Sequence, residues 1–102
     1  MTITKGNGKY ILLSDNNYIL HTETSAKAMR EYTEKNFAGS LDKITEDFSQ
    51  LYADERGTYI TANQLKAEFS ELSEDEQNGR TATEYISDCM SENGGTLTAV
   101  NG

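Results

Sequence analysis

Twice in the second half of this chain the same helix start is written: Thr61-Ala62-Asn63-Gln64 and Thr81-Ala82-Thr83-Glu84. In each, the threonine hydroxyl can accept from the backbone N–H three residues on, while the Gln or Glu there reaches back to the threonine's own N–H. Apolar residues follow at helical spacing: Leu65, Phe69 and Leu72 after the first box, Tyr85, Ile86, Cys89 and Met90 after the second. Ile60 stands at hydrophobic-staple spacing from Leu65, and Gly94-Gly95 is a stop signal for the second helix. Any fold of this chain has to bury both stripes. Ser73-Glu74-Asp75-Glu76 matches a third box but opens onto Gln77-Asn78-Gly79, which predicts a single helical turn.

Upstream the period changes. Residues 9–14 and 18–22 are short runs rich in β-branched and aromatic residues, with Asp15-Asn16-Asn17 between them, so they read as a hairpin. Thr2-Ile3-Thr4, before Gly6-Asn7-Gly8, reads as an extra strand. Residues 25–36 carry Ala28, Met29 and Tyr32 and read as a helix capped by Thr22 or Thr24. Residues 41–53 follow Ser40 and place Leu41, Ile44, Phe48, Leu51 and Tyr52 at three- and four-residue steps, which predicts a further helix with Phe48 in the core. The tail Thr96-Leu97-Thr98-Ala99-Val100 alternates and reads either as a third strand added to the hairpin or as a frayed end. The expected architecture is α+β: an N-terminal β-hairpin packed with three to four α-helices, in one domain over 1–102. Phe48, Leu65, Phe69, Tyr85 and Ile86 are expected to share its core. That core must be thin, because Leu, Ile, Val and Phe together number 18 of 102 residues.

Several chemistries find no support. Cys89 is the one cysteine, so no internal disulfide forms, and a reducing, cytoplasmic compartment is expected. It shares a stripe with apolar neighbours and reads as a core residue. His21, the one histidine, sits late in a strand with Glu23 as its nearest acid, a poor start for acid–base catalysis or metal binding. Residues 48–69 resemble an EF-hand, but Ala53 stands at the first loop position, Thr58 at the glycine position and Gln64 at the bidentate one. Weak calcium binding remains an alternative reading. No Gly-rich phosphate loop occurs. No enzyme, cofactor or metal is expected. No apolar run spans a bilayer, and the first ten residues lack a secretory apolar region.

Charge is the strongest functional feature. The formal net charge is −8, and it is uneven. Residues 1–36 hold five bases and four acids, while 37–102 hold four bases and 13 acids. Nine scattered bases disfavour direct binding of nucleic acid or of an anionic membrane. Glu84, Asp88 and Glu92 recur every four residues. Glu68, Glu71 and Asp75 do nearly the same, as do Asp42 and Glu46, with Glu74 and Glu76 between the stripes. Such like-charge spacing costs each helix a few tenths of a kcal/mol per pair, and a role in folding alone would favour interspersed lysines.

The hairpin running into a helix over 18–32, and the acid-rich 42–92 segment, give the chain a likeness of size, charge and style. It resembles small acidic counter-defence proteins of phages and mobile elements, including anti-CRISPR and anti-restriction proteins, some of them DNA mimics. The resemblance implies a non-enzymatic inhibitor whose partner is a nucleic-acid-binding protein with a basic groove, such as a Cas effector or a restriction enzyme. The residues expected to dock there are Asp42, Glu46, Glu68, Glu71, Glu74, Asp75, Glu76, Glu84, Asp88 and Glu92. The alternative is a protein-interaction module that works through the hairpin, with the acids serving solubility.

Overall fold

The N-terminal strands form as the alternation demands. In the computed structural model, which describes residues 1–101, β1 (Thr2–Gly6), β2 (Lys9–Leu13) and β3 (Ile19–Glu23) make an antiparallel meander. α1 (Ala26–Asn36) follows, then a 3₁₀ turn over Ala38–Lys43 and the two-residue β4 (Thr45–Glu46), parallel to β1. Next come β5 (Leu51–Asp54), β6 (Tyr59–Thr61), α2 (Ala62–Ser70), α3 (Glu74–Gln77), α4 (Ala82–Cys89), a 3₁₀ turn over Ser91–Asn93 and β7 (Leu97–Val100). The strands form two sheets, ordered β3-β2-β1-β4 and β6-β5-β7. The class is mixed α+β.

Each sheet buries residues on both of its faces, and this is how so few aliphatic residues suffice. Successive strand residues point to opposite faces. Leu12 and Ile3 pack under Met29 of α1, with Tyr10, Tyr32, Phe37 and Ile44 around them. Ile11 and Leu13 point the other way and meet Leu51 and Val100 of the second sheet. That sheet's outer face carries Leu97, which packs with Leu65 of α2 and Ile86 of α4. Four layers result: α1, first sheet, second sheet, and α2 with α4. The molecule is elongated, 45 × 25 × 20 Å.

Glycine decides how closely the two sheets approach. A Cβ at Gly6 would lie 2.8 Å from Leu51 Cδ2 and 3.0 Å from Val100 Cγ1. Polar groups then lock the junction. The Asn7 N–H donates to the Asn101 carbonyl, and the Tyr59 N–H donates to that of Asn17. Asp47, between β4 and β5, is the main clasp. Its N–H donates to the Ile3 carbonyl, its Oδ2 accepts from the Thr61 hydroxyl at 2.6 Å, and its Oδ1 accepts from the Ser49 hydroxyl at 2.7 Å and Asn63 Nδ2 at 3.2 Å. Burial alone would push the Asp47 carboxyl up. The hydrogen bonds from Thr61, Ser49 and Asn63 outweigh that and hold it below its ordinary value.

Both capping boxes form, at Thr61/Gln64 and Thr81/Glu84, and α3 is a single turn capped by Ser73. Elsewhere the expectations need correction. Ser25, not Thr22 or Thr24, caps α1. The predicted helix over 41–53 is a 3₁₀ turn and two strands, because Ile44 is already extended (φ −100°, ψ 118°) and Leu51–Asp54 pairs on both sides. Its apolar spacing disguises a two-faced strand: Leu51 and Ala53 meet the first sheet, and Tyr52 meets the helices. Phe48 is 54% exposed and outside the core. The tail is a strand, but it pairs with β5 and not with the hairpin. α4 ends at Cys89, because Met90 turns extended (ψ 145°) well before Gly94-Gly95. Gly95 then packs against that helix end, where a Cβ would lie 2.1 Å from the Cys89 carbonyl oxygen.

Candidate functional site

The short second sheet leaves part of its outer face open. Between α2, α4 and the end of β5, a cleft of about 400 Å³ remains. Leu65 and Leu97, both buried, form its floor with Ile60. Asp54, Glu68 and Asp88 line it, and Tyr85 and Cys89 complete the wall.

Each wall residue is set by the local fold. Glu68 is on the face of α2 towards α4, and the Tyr85 hydroxyl donates to its Oε1 at 3.1 Å. Burial, reinforced by that bond and by the Glu68 charge, pushes the Tyr85 phenol up to about 12, so it stays a donor at neutral pH. Asp88, on α4, accepts from Arg80 Nη1 at 3.0 Å. The Arg80 guanidinium also lies 5.4 Å from the Tyr85 ring centroid and donates to the Glu76 and Gln77 carbonyls. Asp54 ends β5, where its Oδ1 accepts from the Arg56 N–H and its Oδ2 from the Thr96 hydroxyl. Burial foremost, with the Glu68 and Asp88 charges adding to it, keeps the Cys89 thiol above its ordinary value and protonated, which leaves it a poor nucleophile.

The acids expected to form one surface are divided. Glu68, Glu71, Glu74, Asp75, Glu76, Glu84, Asp88 and Glu92 all belong to the α2–α4 end. Asp42 and Glu46 do not: they lie on the 3₁₀ turn and β4 beside the first sheet, where Glu46 is 4.0 Å from Arg30. The regular stripes also break. Glu71 is the C-cap of α2, Asp75 belongs to α3, and Glu92 lies beyond the end of α4, so Glu84 and Asp88 alone keep helical spacing. Glu84 is tied into its capping box and Glu76 accepts from the Ser73 hydroxyl.

Asp54 was missing from the expected acidic set. Its signal in sequence is faint, since it became a neighbour of α2 and α4 through a strand that reads as helix. The EF-hand likeness fails for the same reason: residues 51–61 are a β-hairpin, with no helix before the loop. Among the described residues, no three His, Cys, Asp or Glu side chains converge as metal ligands. His21 stacks on Tyr32 at 3.6 Å between centroids and bonds Glu23 at 2.8 Å, which makes it part of the α1 packing. Among the described residues, no helix is long and apolar enough to cross a membrane.

The charge division follows the layers. Residues 1–46 carry six bases and six acids, whereas 47–102 carry three bases and eleven acids, so the whole net charge of −8 lies on the second half. No protein-family model, no characterised protein and no solved structure matches this chain.

Proposed function

We propose that this chain is a non-enzymatic inhibitor that docks its acidic α2–α4 end on the basic groove of a nucleic-acid-handling protein. The observation that carries the reading is the segregation of charge: a balanced half and a half that holds all of the net −8, over an elongated molecule. Arg80, one of the three bases of that half, is turned onto its own layer by Asp88 and two carbonyls, so it offers little repulsion to a cationic partner. Such a surface is rewarded wherever a partner has evolved lysines and arginines for phosphates. Duplex DNA carries one charge per roughly 1.7 Å of axis, denser than any helix face here, so the likeness is of sign and area and not of phosphate register.

Capture of partners from the native host's lysate on immobilised protein, at low and high salt, tests this. The expected partner binds DNA or RNA, is released by salt and by added duplex, and is lost with Asp75→Lys, a change at an exposed acid. A second reading rests on β3, an open sheet edge on which Ile19 and Leu20 are exposed, as is Tyr18 just before it. Strand addition there would give capture that is indifferent to salt and to Asp75→Lys but lost with Leu20→Glu. That result would overturn the acidic docking surface.

A further inference from the structure

We propose that the cleft under α2 and α4 receives a cationic side chain, arginine or lysine, from a partner protein. This rests on the acidic end being a docking surface and names what its central contact would be. The cleft's volume of about 400 Å³ is ample for one long side chain. Its floor of Ile60, Leu65 and Leu97 suits an alkyl stem, and arginine and lysine bury such stems while their heads keep polar partners.

The polar groups select the head. Glu68 and Asp88 each use one carboxylate oxygen on a neighbour, while Glu68 Oε2 and Asp88 Oδ1 accept from no group among the described residues. Among the described residues, no three acidic, histidine or cysteine side chains gather here as a metal site would require. A planar guanidinium, with five donors in a fixed fork, can serve two carboxylates at once. The molecule already makes one such contact from outside the cleft: Arg80 pairs with Asp88 at 3.0 Å and lies 5.4 Å from the Tyr85 ring centroid. The same Tyr85 and Asp88 line the cleft, with Glu68 added.

The test is a titration of the folded protein, followed by amide NMR, with N-acetyl-arginine amide as the probe. N-acetyl-citrulline amide, nearly the same shape but neutral, is the control. Saturable shifts at Leu65, Tyr85, Cys89 and Leu97 with arginine and not with citrulline are expected. Glu68→Gln should weaken the arginine response about two- to fivefold, the range of a partly exposed ion pair. Asp88→Asn provides a second variant should Glu68→Gln disturb α2. Equal responses to arginine and citrulline, or shifts centred on Glu74–Gln77, overturn the proposal. So does magnesium chloride if it saturates the same resonances. If arginine fails in the cleft while Asp75→Lys still abolishes partner capture, the cleft falls and the docking surface stands.

Discussion

The two ends of the molecule are built by opposite means. At the α1 end, where residues 1–46 carry balanced charge, one 11-residue helix lies on a four-stranded sheet and is started by a lone serine cap. Met29 is buried there, and Tyr32 is held between the His21 and Phe37 rings. At the other end, helices of nine, four and eight residues cover a three-stranded sheet and carry six of the eleven acids of residues 47–102. Helices so short are marginal alone, since isolated helices need roughly 12–15 residues. Local devices compensate: two capping boxes, an Ile60–Leu65 contact and an Arg80 clasp hold α2, α3 and α4. Where long-range burial is generous, the chain needs little local instruction. Where it is sparse and the surface is given over to charge, the instruction is written into the sequence.

The junction between the ends is the place to break this comparison. Leu51 is 1% exposed and touches the first sheet from the second. Leu51→Ala removes the contact that makes one cooperative unit of two thin ends and should cost about 2–5 kcal/mol. Thermal or denaturant unfolding measures it. Loss of folding, or separate transitions for the two ends, is the expected outcome. A change below about 1 kcal/mol would mean that the ends are stable without each other.

Asp47 sharpens the same point with pH. Asp47→Ala leaves the Thr61 and Ser49 hydroxyls without their acceptor and should cost about 1–3 kcal/mol at neutral pH. The folded carboxyl is held below its ordinary value of 3.8. Its contribution is therefore complete above 3.8 and is lost as pH falls through the lower, folded value. Parent and Asp47→Ala should differ most near neutrality and converge in strong acid. A difference that persists unchanged in acid would remove the ionised clasp from the account.

The legible parts of the fold follow from this contrast. α2 and α4 announce themselves because Thr61, Gln64, Thr81 and Glu84 act within one turn of their own helix. The meander is legible because Asn7 and Asn17 supply left-handed turns (φ 55° and 67°) between alternating strands. β5 was not, because both its faces are covered and the two-residue period is masked. Its pairing with β7 joins residues nearly half the chain apart, which no local pattern encodes. The cleft inherits that difficulty. Its helical acids stand out in the sequence, but Asp54 does not. The four-residue stripes promised more regularity than the helix ends at Ser70 and Cys89 allow.

Phe48 offers the smallest effect and the sharpest distinction. In a helix over 41–53 its ring would share a buried stripe with Ile44, Leu51 and Tyr52, and Phe48→Ala would cost about 3–5 kcal/mol. In the two-sheet arrangement the ring stands on the surface, 54% exposed, meeting Tyr10 edge-on with centroids 6.1 Å apart. Complete burial of a phenylalanine contributes about 1.5–3 kcal/mol, so less than half of it leaves about 0.7–1.4 kcal/mol for the truncation. Urea unfolding of the parent and of Phe48→Ala, compared with Leu51→Ala, reads the difference directly. Residues 48 and 51 are one helical turn apart and would lose similar amounts on a shared stripe. On a surface turn and a buried strand they should differ severalfold. Equal losses would restore the helix over 41–53 and dissolve the second sheet, and with it the cleft whose floor and wall that sheet supplies.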